Sequence, residues 1–359
     1  MKNLKDTDQE LINHWYIIAL ASEVPDNKPI SRTVYDVPYV LFKDEKGLIQ
    51  VFVDQCVHRG AQLSLGKCES GQIRCPYHGW KFGSGGHVTE IPSEGPGAEA
   101  KNWKLKSVPF QIHQNCVWIW PGNLDHQNQS QQPWSFPKFD DPEFASYFMI
   151  TDFENEVTHL VQNFMDVPHT VFVHDKWFRK RKSLKVPILL EAFDAKVKVT
   201  YQQSSDSIGF FDFILNSKKK AMTHTDEYIF PNLTRVDYAF GDHQFIINSQ
   251  CTPVGRYKTR VFTWISFKVG ILTKVLKPMM QFYTRQVITQ DVEIMQNQGR
   301  QLMAFEKIQG PIEFNKSQGF HSTQADELHL LIDKMRYQGQ IDLKSPHSLQ
   351  VNRQREFWI

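Results

Sequence analysis

The sequence predicts an α+β protein in two parts: a small all-β domain over residues 1–125, a linker over 126–147, and a domain over 148–359 whose antiparallel sheet is flanked by helices. Three observations carry this expectation. The first third holds short β-branched and aromatic runs broken by turn residues. A stretch rich in Gln, Asn and Pro follows at 122–144, with no apolar period. The remainder groups strand-like runs between helix-like ones, the pattern of an α+β domain.

In chain order, "WYIIAL", "TVYDVPYVLF", "LIQVFVD" and "CVWIWPG" read as strands, with Asp44-Glu45-Lys46-Gly47 as one of the turns between them. "GSGGH" at 83–87 is a turn signal between two further short strands. Beyond the linker, a helical segment is expected near 158–175 and strands between about 187 and 268. A long helix is expected over roughly 275–305, and a last one over 324–337 from "TQADELHLLIDKMR".

Composition narrows the function classes. The chain has 359 residues, 41% hydrophobic and 13% aromatic, with a net charge of +2. That balance argues against general nucleic-acid binding, which needs a broad basic excess. No run approaches the roughly 18 apolar residues of a membrane helix, and the polar start "MKNLKDTDQE" lacks the form of a secretory signal. Five cysteines, an odd number, do not suggest a disulfide framework. The expectation is a cytoplasmic protein.

Four of the chemistry-bearing residues cluster in "CVHRGAQLSLGKCESGQIRCPYHGW" (56–80). Cys56 and His58 are two apart; after sixteen intervening residues come Cys75 and His78, three apart and followed by Gly79. Two such loops facing each other form a four-ligand clamp. Structural zinc satisfies the same atoms. So does a [2Fe–2S] cluster in which two histidines replace two cysteines on one iron. "CVHRG" and "CPYHGW" resemble the two boxes of the Rieske oxygenase family at every motif position. The resemblance implies that Cys56 and Cys75 ligate one iron, that His58 and His78 ligate the other, and that Trp80 shields the cluster. Cys68, Cys116 and Cys251 fall outside the pattern and read as plain thiols.

A second constellation lies in "VQNFMDVPHTVFVH" (161–174). Asn163, Asp166 and His169 recur at i, i+3 and i+6, along one helical face. His174 is five residues beyond His169, about 140° round a regular helix, so the two imidazoles diverge unless the helix is irregular. Pro168 removes a helix hydrogen bond at that point. Two histidines leave room for one carboxylate and open positions, the ligand set of non-haem Fe(II) oxygenases. Among the later carboxylates, Asp291 has Val287, Ile288, Ile294 and Met295 at helical spacing, an apolar face. Glu293 has Thr289, Gln290, Gln296 and Asn297, a polar one. A carboxylate aimed into a core is costly unless paired or metal-bound, which favours Asp291. A buried salt bridge at Asp291 is the rival explanation.

This segment also matches the Rieske oxygenase pattern N-x-x-D-x-x-H-x-x-x-x-H, and "QDVEIMQNQ" is similar to the family's late aspartate segment. The resemblance implies a mononuclear Fe(2+) held by His169, His174 and Asp291, with Asn163 as a supporting neighbour. It also implies that Asp166 links His169 to His78 of an adjacent subunit, and hence a homotrimer. It implies a helix-grip catalytic domain and the terminal oxygenase of a system in which NAD(P)H supplies electrons through a separate reductase or ferredoxin. Monooxygenation or demethylation of a small organic substrate is favoured over cis-dihydroxylation. The rival classes are a Rieske electron carrier and a zinc-clamped binding protein. The basic run "KWFRKRKSLK" (176–185) reads as a solvated turn or a docking face, and strand aromatics such as Phe230, Phe240, Phe245 and Trp264 as core or pocket lining.

Overall fold

The structure, a computed structural model, describes residues 11–96, 102–123, 132–174, 185–193, 195–202, 221–310, 320–337 and 351–358. The basic run, apart from Lys185, lies outside the described residues. The chain separates into two compact units, Ile12–Ser135 and Phe136–Ile359, the second also taking in Met1–Leu11.

The first unit is all-β. Its strands are β1 (Tyr16–Leu20), β2 (Ile30–Val34), β3 (Val37–Lys43), β4 (Ile49–Val53), β5 (Lys67–Glu69), β6 (Gln72–Arg74), β7 (Lys81–Phe82), β8 (Val88–Glu90), β9 (Phe110–His113) and β10 (Cys116–Ile119). They form three antiparallel sheets ordered β1-β10-β9, β2-β3-β4 and β5-β6-β7-β8. Strand β3 shows how two cores share one sheet. Side chains alternate faces along a strand, so Tyr39 and Leu41 join Val51, Val117 and Ile119, while Val40 and Phe42 join Phe52, Ile73 and Phe82. The second of these cores also contains Cys56, Cys75 and Trp80.

The second unit holds one antiparallel sheet. It comprises β11 (Ala145–Phe153), β12 (Lys185–Phe193), β13 (Lys196–Tyr201), β14 (Thr223–Ile229), β15 (Leu233–Phe240), β16 (His243–Gly255), β17 (Lys258–Lys268) and β18 (Val351–Trp358). The order is β11-β17-β16-β15-β14-β13-β12-β18. The expected strands at 187–268 are the meander β12 to β17. The flanking strands β11 and β18 escape the pattern analysis: β11 abuts the polar linker, and "VNRQREFW" carries three charges in eight residues.

The helices are α1 (Val157–Met165), α2 (Thr170–Val173), α3 (Lys277–Gln309) and α4 (Glu327–Tyr337). Thus α3 and α4 fall where the pattern puts them, but the single helix expected near 158–175 is broken in two. Glu156 caps α1, its carboxylate accepting from the Thr158 N–H at 2.7 Å. The helix ends at Met165, and Asp166 is extended (φ −94°, ψ 105°).

Helix α3 has Pro278 in its first turn and Gly310 at its end with φ +85°. Its buried residues form one stripe: Met280, Tyr283, Thr284, Asp291, Met295, Gly299 and Leu302. At Gly299 the helix meets the end of β11 so closely that an added Cβ would lie 2.0 Å from the Glu154 carbonyl oxygen. Beside it the buried Asn155 amide donates to the Met295 carbonyl at 2.9 Å and to Gln298 Oε1 at 2.8 Å.

Two stability predictions follow from this packing. Gly299→Ala forces α3 off the β11 end and should destabilise the protein by about 2 kcal/mol, read as a fall in the urea midpoint. On α4, Asp333 accepts from Gln162 Nε2 at 2.7 Å, and burial pushes its carboxyl up to about 7. The unfolded chain releases this proton near the ordinary carboxylate value, so stability declines as pH rises from about 4 to 7 and stays reduced above. Asp333→Asn should therefore raise the thermal midpoint at pH 8 and leave it nearly unchanged at pH 4.

Candidate metal centres

The first unit builds its clamp from two turns of the same design. The Gly60 N–H donates to the Cys56 carbonyl at 2.9 Å, and the Gly79 N–H to the Cys75 carbonyl at 3.2 Å. Each glycine has positive φ, +76° and +74°, a conformation that side chains resist. Each cysteine N–H then donates across the turn, Cys56 to Ala61 and Cys75 to Trp80, both at 2.8 Å. The two loops thus match backbone for backbone, with His58 two residues and His78 three residues into the turn.

Both loops are braced from outside. Asp54, almost fully buried, accepts from the Ser64 N–H at 2.8 Å, Ser64 Oγ at 2.6 Å, and Ser31 Oγ and Gln62 Nε2 at 3.0 Å. Arg74 donates to the Gly79 carbonyl at 2.9 Å and pairs with Glu69 and Glu90, which Lys81 also bridges.

Between the loops, the His58 and His78 rings stand 4.6 Å apart. Cys56 and Cys75 are buried, and burial, followed by the nearby Cys75 sulfur, pushes the Cys56 thiol up to about 11. His58 Nδ1 is buried with no hydrogen-bond partner among the described residues. Two sulfurs and an orphaned imidazole nitrogen beside a second imidazole are a donor set suited to a metal. Trp80 stacks on His58 at 4.5 Å with the planes 5° apart, and the half-exposed Trp103 stacks on Trp80 at 5.5 Å. Trp80 thus covers one face of the His58 ring. Trp103 was not foreseen, because it lies in a loop with no pattern around it.

The second unit assembles three more ligand-type groups. Because the chain breaks after Met165 and restarts at Thr170, His169 and His174 flank the one-turn helix α2 instead of diverging round a continuous one. Their rings lie 5.4 Å apart, 72° inclined. Asp291 meets both: its Oδ1 is 3.5 Å from His169 Nε2 and 3.2 Å from His174 Nε2. One ligand atom from each of the three lies within 4.8 Å of the others. Ligands about 2.1 Å from one ion take such separations.

Neighbours orient these groups. Asn163 Nδ2 donates to Asp291 Oδ1 at 3.2 Å, and His174 Nδ1 donates to Gln290 Oε1 at 2.9 Å. His169 Nδ1 is buried with no hydrogen-bond partner among the described residues, the Asp166 carboxylate standing 3.6 Å away. Burial opposes ionisation of Asp291, but His169 and His174 outweigh it and hold the carboxyl well below the usual range. Burial likewise disfavours a charged His169, but Asp166 and Asp291 push it up to about 9. Glu293 is exposed, as its polar face requires. Gln290 was missed: helical spacing places it among the polar neighbours of Glu293, and only the fold turns it toward His174. Ile294, expected on the buried face, is 41% exposed.

The three groups open onto a cavity of about 140 Å³ walled by α1, α3 and the sheet. Phe245 lines it. Phe240 is core, Phe230 packs against the core cluster that includes α1, and Trp264 stacks with Phe139 and meets Phe148 at a tilt.

Known proteins resemble both units. The Rieske [2Fe-2S] domain family matches residues 14–109, and the vanillate O-demethylase oxygenase C-terminal domain family matches residues 156–338. The chain is 33% identical over 165 residues to the dicamba O-demethylase oxygenase component of Stenotrophomonas maltophilia, covering 45% of this chain and 47% of that protein. It is 31% identical over 192 residues to Protein TIC 55 of Arabidopsis thaliana, covering 53% of this chain and 35% of that one. Each match spans less than half of the relative's length. Among solved structures, dicamba monooxygenase bound to 3,6-dichlorosalicylic acid superposes with a TM-score of 0.75 at 20% identity, covering 92% of this chain and 98% of that one. NdmB of Pseudomonas putida CBB5 gives 0.74 at 17% identity over 98% of both.

Asp291→Ala should lose metal from the second centre and keep the first. Ferrous loading measured by chelator competition is expected to weaken by at least about 100-fold, with visible absorption from the first centre unchanged.

Proposed function

The chain belongs to the Rieske non-haem iron oxygenases of the vanillate O-demethylase type, and from that premise we propose that it is the terminal oxygenase component of such a system. It uses O2 and electrons from NAD(P)H, delivered by a separate reductase or ferredoxin, to hydroxylate or demethylate a small organic compound. The observation that carries this reading is the His169, His174 and Asp291 group at the wall of an apolar cavity, in a chain that also holds a Rieske domain. Monooxygenation is favoured by relatives named for it, an O-demethylase and a toluene-4-sulfonate monooxygenase iron-sulfur subunit. In that stoichiometry one oxygen atom enters the substrate and the other leaves as water, with two electrons taken from NAD(P)H.

Cys56, Cys75, His58 and His78 are the residues suited to hold a [2Fe–2S] cluster, and His169, His174 and Asp291 to hold Fe(2+). When bound, the cluster supplies electrons singly and the ferrous ion supplies O2 activation. The chain does the rest. Asn163 and Gln290 fix the rotamers of Asp291 and His174 through their hydrogen bonds. The cavity's apolar walls exclude water around the reacting carbon. Asp166 is a quarter exposed, so its carboxylate can face His169 with one oxygen and accept an N–H from the partner subunit's His78 with the other. That role would join copies into a ring, and we propose the trimer that the resemblance implies.

The test is metal content together with coupled turnover. The holoprotein should carry about three irons per chain and consume O2 with a surrogate reductase only when a methoxylated or N-methylated compound is present. Asp166→Asn should keep all iron yet slow reoxidation of the reduced cluster by about 10- to 100-fold. Two irons per chain with no O2 uptake would mark an electron carrier instead.

A further inference from the structure

The sheet that floors the cavity carries a buried carboxyl group that lies outside the His169, His174 and Asp291 group. Paired register lays three rows across this face. Thr234, Ser249 and Thr263 are cross-strand neighbours and form a hydroxyl row, with Ser249 Oγ 3.2 Å from Thr263 Oγ1. Two residues along, Val236, Ile247 and Ile265 form an aliphatic row that ends in Asp226 on β14. Two further, His224, Tyr238 and Phe245 form an aromatic row.

Asp226 is 2% exposed and lines the cavity. Tyr201 Oη donates to its Oδ2 at 2.8 Å and His224 Nε2 donates to its Oδ1 at 2.9 Å. His224 is fixed by stacking between Tyr201, 4.0 Å away, and Tyr238, 4.2 Å away. Its Nδ1 is buried without a partner among the described residues. With Nε2 donating, the ring holds its proton toward the carboxylate.

A carboxylate kept out of water is expensive unless its acceptor sites are filled. Two donors occupy two of about four lone-pair sites, so acceptor capacity remains on a carboxyl group that lines the cavity. No Lys or Arg lines the cavity among the described residues, whereas Asp166 and Asp291 do. An anionic ligand would therefore add a fourth carboxylate-type group to a cavity already lined by Asp166, Asp226 and Asp291, and a ligand with an N–H or O–H would complete Asp226. The cavity volume of about 140 Å³ is close to that of an engineered apolar cavity that accepts benzene, about 150 Å³.

We propose that Asp226, braced by Tyr201 and His224, is the recognition group for a single-ring compound that is neutral or cationic and carries an N–H or O–H donor, and that the cavity rejects aromatic carboxylates. This deepens the oxygenase reading and rests on it.

Calorimetry on the holoprotein tests the proposal without turnover, using 4-methoxybenzylamine, 4-methoxybenzyl alcohol and 4-methoxybenzoate. The amine and the alcohol should bind at least about 10-fold more tightly than the benzoate. Asp226→Asn should cut the amine-over-benzoate preference by about 10-fold with thermal midpoint, iron content and cluster spectrum retained. Tyr201→Phe, which empties one acceptor site, should keep the order. Benzoate binding as tightly as the amine, no binding by any of the three, or Asp226→Asn weakening all three alike would overturn it. Should Asp226→Asn fail to fold, the wild-type order and Tyr201→Phe still decide. Missing iron or missing O2 uptake would sink the oxygenase reading alone, because the binding order is measured independently.

Discussion

The meeting of His169, His174 and Asp291 depends on how α3 is seated against the end of β11. Asn155 occupies the junction between β11 and α1, and its side chain grips α3 at Met295 and Gln298. Eight residues further along α1, Asn163 grips Asp291. Moving forward on α1 therefore means moving backward on α3, so the two helices cross antiparallel and are pinned at two points. Gly299 sets the distance at one pin, since no side chain fits between the helix and Glu154. Thr259 adds a hydrogen bond to the Asn155 carbonyl at 3.0 Å, tying the junction to β17. An uncompensated carboxylate at Asp291 would be costly in a core; these contacts deliver it to two imidazoles.

The two centres differ in what holds them. The clamp in the first unit is local: each cysteine and its histidine share one tight turn, closed by a glycine that alone tolerates the required backbone. The second centre joins residues 163–174 to residue 291, so its geometry belongs to tertiary packing. Its charges are mutually dependent. Asp291 ionises easily because the imidazoles are there, and His169 keeps its proton because the carboxylates are there. A cation arriving at such a group displaces a proton and inherits its electrostatic support.

That difference explains what the sequence made legible. The clamp could be read in full, because motif spacing and turn chemistry are local properties. Asp291 was legible from the apolar spacing around it, a helical-period argument that survives even though Ile294 faces solvent. The break after Met165 was half legible: the divergence of His169 and His174 demanded an irregularity, and Pro168 marked its place, but spacing does not distinguish a widened turn from an interrupted helix. Gln290 and Asp226 were invisible, since each owes its role to a neighbour far away in sequence. Strand β11 was missed because it abuts the polar linker, and β18 because an edge strand tolerates charge and lacks the apolar run by which inner strands are recognised.

The division of labour between helices and sheet has a consequence for specificity. All three ligand-type residues lie on or beside helices, whereas the floor of the cavity is made of strands whose alternate side chains face it. A substitution on that floor changes the cavity's polarity without moving His169, His174 or Asp291, because none of them belongs to the sheet. Register enforces the separation. A one-residue slip of β14 would turn Asp226 and His224 to the opposite face together, and pairing on both sides, to β13 and to β15, resists it. Residues within the three floor rows can therefore be exchanged while the helical frame that holds His169, His174 and Asp291 stays as it is.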